Sequence, residues 1–288
     1  MHEELALVHV VRQAAWSAST YGATAVRVAL RGNRGRPAAP IRNEERLVFV
    51  VGSPRSGTTF VGQALGSQPG FVDLGEVPLL KAIAAQLAQL PADEQAQRVR
   101  QILQRVRSLG FVRRLRGVEQ TPEMSFLLPG LLTAYPMGTA VHVLRDGRDV
   151  VCSLLERGWL SANRGGQDDA HQPFGAYARF WVEPERREEF ERVSDTRRAA
   201  WAWRRYVTAA RAVPERTIEL RYEALVTGTD EAADRIAAAL GTNPDPLQRA
   251  FAGAHANSVG RWRNELSAEQ LADVEAEAGD LLAELGYS

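Results

Sequence analysis

Three stretches of the chain carry residue types able to hold or move charged groups. Gly52-Ser53-Pro54-Arg55-Ser56-Gly57-Thr58-Thr59 has the G-x-x-x-x-G spacing of a phosphate-binding loop. Its glycines let backbone N–H groups converge on an anion, and a helix opening at Thr58 adds its positive end. Thr58 stands where nucleoside-triphosphate loops carry lysine, so the ammonium that neutralises β- and γ-phosphates is missing. Arg55 supplies a cation from inside the loop instead. The second stretch is Arg145-Asp146-Gly147-Arg148-Asp149, with Ser153 eight residues after Arg145. Alone it reads as a solvated, salt-bridged turn. Beside the first loop, a bidentate Arg145 and a hydroxyl donor at Ser153 make a second anion site. Asp149 reads as a carboxylate in a helix's first turn, where the dipole favours it. The third is Glu76, which is either a general base or a carboxylate ahead of a helix beginning near Val77-Pro78.

The elements that must position these residues follow from the apolar pattern. Leu47–Val51, Ala140–Leu144 and Thr217–Leu220 are short β-branched runs that predict buried parallel strands. Helices are predicted over Thr58–Gly66, Val77–Leu90, Ala92–Leu109 and Asp149–Arg157, with Pro91 as punctuation. Strands alternating with helices indicate an α/β fold, three-layered, with a mainly parallel central sheet. In such sheets ligands bind beyond the carboxyl ends of the strands, where both charged stretches lie. The Gly-, Pro- and charge-rich segment Ser161–Asp195 reads as a mobile surface excursion.

PRSGTT (Pro54–Thr59) and LRDGRDVVCS (Leu144–Ser153) together resemble the two donor-binding motifs of the sulfotransferases that use 3′-phosphoadenylyl sulfate (PAPS). The resemblance implies that Arg55, Ser56, Gly57, Thr58 and Thr59 cradle the 5′-phosphosulfate and that Arg145 and Ser153 bind the 3′-phosphate. Leu74-Gly75-Glu76 is similar to the Gly-Glu pair of the tyrosylprotein and several bacterial branches, which implies Glu76 as base. Leu220-Arg221-Tyr222-Glu223 is similar to the family's R-Y-E, implying Tyr222 near the adenine. Ser258-Val259-Gly260-Arg261-Trp262-Arg263 is similar to the element that closes over the nucleotide, implying Ser258 and Arg261 there. The chain departs from cytosolic members at Gln120-Thr121-Pro122-Glu123, which lacks their catalytic His. It also lacks the lysine that the tyrosylprotein branch carries near Gln120. The resemblance implies PAPS as donor co-substrate, with no obligatory metal, and Arg55 as the cation on the transferring group.

Composition narrows the rest. With 288 residues, 45% hydrophobic and 24% charged, the chain can bury a substantial core. Lys+Arg and Asp+Glu are 35 each, so no global charge points to nucleic acid or an acidic membrane. The cationic side chains are arginine except Lys81. One cysteine, Cys152, excludes an internal disulfide and a CxxC redox pair. The five histidines have no ligand spacing, so no metal is expected. No apolar run reaches the length of a membrane span and no signal peptide is evident, which leaves a cytoplasmic protein as the expectation. Residues 1–44 read as a helical arm and linker that packs on the domain, forms a homodimer contact, or touches a membrane surface or partner protein. Residues 45–288 read as the sulfotransferase domain. The acceptor is expected to be a small metabolite, a glycan or a lipid ahead of protein tyrosine. Trp181, Trp201 and Trp203 are either acceptor-pocket or core residues. Arg204 and Arg205 are either anion-attracting or solvated helix charges. A P-loop nucleotide kinase and a non-catalytic nucleotide-binding module are the competing readings.

Overall fold

The computed structural model describes residues 45–107, 115–160 and 182–287, together with the single positions 15 and 26. In chain order the regular elements are β1 (Val48–Val51), α1 (Thr58–Gly66), β2 (Phe71–Gly75), α2 (Pro78–Ala88), α3 (Ala92–Arg107) and β3 (Arg116–Glu119). A 3₁₀ turn (Pro122–Leu127) leads into α4 (Leu128–Ala134), β4 (Thr139–Leu144) and α5 (Gly147–Arg157). Then come α6 (Arg187–Arg192), α7 (Asp195–Ala210), β5 (Thr217–Arg221), α8 (Tyr222–Thr227), α9 (Thr229–Leu240), α10 (Asp245–Phe251), α11 (Trp262–Glu265) and α12 (Ala268–Glu284).

The five strands form one parallel sheet in the order β2-β3-β1-β4-β5. β1 is fully buried because each face of the sheet carries its own helical layer. Leu47, Phe49 and Val51 pack with Leu80 and Ala84 of α2, Val99 of α3 and Leu131 of α4. Val48 and Val50 pack on the other side, with Val61 and Leu65 of α1 and Ile236 and Ala237 of α9. A third apolar cluster joins Leu144 and Val150 to Trp201 and Trp203 of α7 and Val274 of α12. The connections after β1 reach β2 and β3 on one side, whereas those after β4 reach β5 on the other. The reversal falls between β1 and β4, whose registers pair Val51 with His142. This is the point at which an open α/β sheet leaves a crevice.

Two strands, β2 and β3, go beyond the apolar runs. β3 is Arg-Gly-Val-Glu, yet all four residues are buried. Arg116 is tolerated there because Nε donates to the carbonyl of Arg46 at 3.0 Å and Nη1 to that of Leu240 at 2.6 Å, and the guanidinium stacks on Phe71. Burial, with Arg46 nearby, brings its pKa down to about 10. Helix α5 begins at Gly147, two residues earlier than predicted, because Asp146 caps it by accepting from the backbone N–H of Arg148 at 2.9 Å.

Of the expected surface excursion, residues 161–181, including Trp181, lie outside the described residues, as does nearly all of the N-terminal arm. Residues 182–195 are a correction: a 3₁₀ turn and α6 dock onto the body instead of looping out. Arg186, Arg197 and Arg204 converge on the buried Glu277 carboxylate at 3.2, 3.4 and 2.9 Å. The sequence pattern missed this because it shows the charges and not their long-range partners.

Candidate active site

The loop after β1 leaves the sheet through Gly52, whose φ of 142° and position 2.5 Å (for an added Cβ) from the Val143 carbonyl oxygen exclude a side chain. Its N–H donates to Ser125 Oγ at 3.1 Å, and Ser56 N–H closes a turn on the carbonyl of Ser53 at 3.1 Å. Arg55 is the one non-glycine among the described residues with positive φ, 72°. Such a conformation costs of order 1–3 kcal/mol and persists only where surroundings impose it. Gly57 follows at φ 98° and opens α1. Ser53, Ser56 and Thr58 are buried, whereas Thr59 is exposed. Ser56 Oγ is buried with no hydrogen-bond partner among the described residues. Unpaired buried hydroxyls are costly, and one just ahead of a helix N-terminus suits an anion.

The carboxyl end of β4 delivers Arg145 to the same place. Its Nη1 donates to the carbonyl of Arg55 at 3.1 Å, and Nη2 donates to the carbonyl of Ser258. The guanidinium stacks on Tyr222, and Nε has no hydrogen-bond partner among the described residues. Trp203 fixes the strand end from behind by donating Nε1–H to the Arg145 carbonyl at 3.1 Å. In return Arg55 donates Nε–H to Ser153 Oγ at 3.0 Å, nearly two helical turns into α5, and lies over the Trp159 ring. The two strand-end motifs are therefore bonded to each other in both directions. Tyr222 opens α8 directly after β5, and its ring covers Gly57, where an added Cβ would fall 2.6 Å from Cδ2. Its hydroxyl accepts from the backbone N–H of His255 at 3.3 Å and from Ser258 Oγ at 3.4 Å.

Ser258 to Trp262 forms a turn over this crevice, held by Asp149. The buried Asp149 carboxylate accepts from the N–H of Gly260 at 2.8 Å and of Trp262 at 3.1 Å. Burial pushes its pKa up, and these two bonds pull it partly back. The Trp262 ring is stacked by the guanidinium groups of Arg148 and Arg263. Arg261 is engaged elsewhere, with Nη2 at 2.8 Å from Glu156 and 2.7 Å from Glu265. Hydrogen bonds to these carboxylates push its pKa above the ordinary arginine range.

Glu76 follows the last residue of β2. Its Oε2 is 2.7 Å from Lys81 Nζ, with the Glu76 side chain 29% exposed and the Lys81 side chain 9%. The helix between them is anchored by the Val77 N–H, which donates to Thr121 Oγ1 at 2.7 Å. Gln120 lies at the end of β3, where its backbone N–H donates to the Gly75 carbonyl at 3.2 Å. Because all five strands are parallel, Arg55, Glu76, Gln120, Arg145 and Tyr222 all emerge at one edge of the sheet. Lys81 and the clasp of Asp149 escaped the motif reading. The signal for Lys81 was its being the sole lysine.

The remaining candidates take structural places. Trp201 and Trp203 are fully buried core residues. Arg204 and Arg205 are ion-paired with Glu183, and Arg204 also with Glu277. Cys152 is buried, and burial pushes its thiol up to about 12, which keeps it protonated. Among the described residues no group of three or more His, Cys, Asp or Glu side chains could hold a metal, and no helix is long and apolar enough to cross a membrane.

A parallel sheet with helices on both faces, a glycine-bounded strand-to-helix loop after β1 and an arginine at the end of β4 defines a doubly wound α/β fold. The chain belongs to the sulfotransferase family, whose model matches residues 48–246. Solved structures that share the fold include two sulfotransferases. The sulfotransferase domain from the curacin biosynthetic pathway aligns with TM-score 0.50 and 16% identity, over 84% of this chain and 98% of that one. Sulfotransferase STF9 from Mycobacterium avium aligns with TM-score 0.50 and 13% identity, over 99% of this chain and 87% of its own. No curated protein matches in sequence.

Proposed function

We propose that the chain transfers a sulfuryl group from PAPS to an acceptor hydroxyl. The observation that carries this reading is the reciprocal bonding of the two strand ends, Arg55 to Ser153 and Arg145 to the Arg55 carbonyl. It presents two anion-binding groups on one rigid base, as a donor with separate 5′-phosphosulfate and 3′-phosphate requires. The Ser56 hydroxyl and Arg145 Nε, without a hydrogen-bond partner among the described residues, fit such a ligand, and the loop lacks the lysine that a triphosphate requires. In this reading the amides of Gly57 to Thr59 and the Ser56 and Thr58 hydroxyls hold the phosphosulfate, and Arg145 and Ser153 hold the 3′-phosphate. Tyr222 flanks the adenine, and Ser258 lies over the nucleotide. Arg261 reaches it only by exchanging Glu156 and Glu265 for phosphate.

Chemistry then needs three contributions. The acceptor oxygen attacks sulfur while the bond from sulfur to the phosphate oxygen breaks. Arg55 stabilises charge on the transferring group and the leaving oxygen, the electrostatic contribution that usually dominates such catalysis. Glu76 takes the hydroxyl proton. The acceptor is a small metabolite, glycan or lipid in preference to protein tyrosine. Arg204 and Arg205, the arginine pair suited to acidic peptides, are already neutralised by carboxylates.

Thermal denaturation with 3′-phosphoadenosine 5′-phosphate tests the reading. At 100 times Kd the nucleotide stabilises by about 2.7 kcal/mol, and the midpoint should rise without added metal. Greater stabilisation by ATP-Mg²⁺ would overturn it in favour of a kinase.

A further inference from the structure

We infer that Lys81 orients the Glu76 carboxylate, and that it does so because it is not an arginine. The inference rests on the reading of Glu76 as base. Every other cationic side chain outside the histidines is arginine, yet the one that touches Glu76 is an ammonium, 2.7 Å from Oε2. The two cations bind carboxylates differently. A guanidinium is a planar fork that tends to take both oxygens side-on, whereas an ammonium is a point donor that takes one. Among the described residues the hydrogen bonds of the Glu76 carboxylate go to Lys81 through Oε2 alone. Oε1 is left to accept a proton, and a base needs that free oxygen.

The surrounding geometry makes the contact a positioning device. The Lys81 side chain is nearly buried, while that of Glu76 remains partly open. Both ends of the contact are fixed to the same frame. The Lys81 N–H donates to the Val77 carbonyl at 3.1 Å, and the Val77 N–H is stapled to Thr121. Rotation of the Glu76 side chain is therefore restrained from one oxygen, and the other takes no hydrogen bond among the described residues. A purely neutralising cation would not need this shape, and arginine would serve equally well.

That difference makes Lys81→Arg the diagnostic variant. It keeps the charge and the ion pair but clamps both oxygens. Turnover of an alkyl alcohol should fall about 10²-fold, the cost of misplacing a reacting group by about an ångström. A phenol already ionised at assay pH needs no base, and its turnover should change less than threefold. Lys81→Met, which frees the carboxylate to rotate, should show the same selective loss. The ratio of alcohol to phenolate turnover is independent of the fraction of folded enzyme, so partial unfolding does not obscure it. Full alcohol turnover in Lys81→Arg, or equal losses on both acceptors, would overturn the inference. Glu76→Gln assayed in parallel separates the two ideas. If it retains alcohol turnover, the base assignment fails. If it loses turnover while Lys81→Arg keeps it, only the role of Lys81 fails.

Discussion

Asp149→Asn removes the charge that holds the turn over the crevice and changes almost nothing else in shape. The carboxylate accepts two backbone N–H groups, from Gly260 and Trp262, at 2.8 and 3.1 Å. An amide offers one oxygen, so one N–H keeps a neutral partner and the other faces an NH₂ group. A hydrogen bond to a charged group contributes about 1.5–3 kcal/mol. Burial already disfavours the ionised carboxyl, which places the loss near the lower end, about 2 kcal/mol. The loss should reach the nucleotide because the same turn includes Ser258, whose carbonyl receives Arg145. An effect of 2 kcal/mol is about 30-fold in Kd. Calorimetric titration with 3′-phosphoadenosine 5′-phosphate should show that weakening, and limited proteolysis should cut faster within 256–266. If the urea midpoint falls while nucleotide affinity stays unchanged, Asp149 holds the fold and not the ligand. Unchanged values for both would refute the clasp altogether.

Glu76→Gln should lower alcohol turnover by about 10²–10⁴-fold and leave nucleotide affinity within twofold, read by steady-state kinetics and calorimetry. Arg145→Ala and Ser153→Ala should each erase the preference for 3′-phosphorylated over 3′-hydroxyl nucleotides; parallel losses for both ligands would limit these residues to structural support. Gly57→Ala forces a side chain into a left-handed residue and into the Tyr222 ring, so nucleotide-dependent stabilisation should be lost in a thermal shift assay, and its retention would show that Tyr222 can yield. His142 is wholly buried, with Glu219 at 3.4 Å and that carboxylate shared with Arg211 at 3.1 Å. Burial holds its pKa below the ordinary 6.5. As pH falls through about 6.5 the unfolded chain takes up a proton before the native one does. Stability should therefore fall with a slope of up to about 1.4 kcal/mol per pH unit. Urea titrations from pH 7.5 to 5.5 should show that slope, and His142→Gln should remove it.

The sequence made part of this architecture legible, and the boundary has a physical cause. β1 and β4 were visible because their residues are largely apolar on both faces, and β5 because Ile218 and Leu220 alternate with polar residues. β2 and β3 were hidden, since Asp73 and Arg116 look like loop residues until their partners are known. Arg116 is made tolerable by the carbonyls of Arg46 and Leu240, a contact 124 residues away in the second case. The same limit applies at the site. The spacing of Gly52 to Thr59 reads as an anion loop because the pattern is local to eight residues. The capture of Gly260 by Asp149, 111 residues apart, depends on how α5 is set against the turn at Ser258–Trp262. No local pattern encodes that.

The crossed bonds between Arg55 and the second motif carry a consequence for how the cradle tolerates change. Arg55 lends its carbonyl to Arg145 and its side chain to Ser153, so each motif is part of the other's scaffold. Free-energy changes from substitutions add when sites are independent and fail to add when they share partners. Variants on the two loops should accordingly be non-additive. Once Arg55 is removed, loss of Ser153 should cost little more. A transplant of either loop into a related scaffold would arrive without its counterpart and with its backbone strain unsupported. The two motifs should therefore respond to substitution as a single unit.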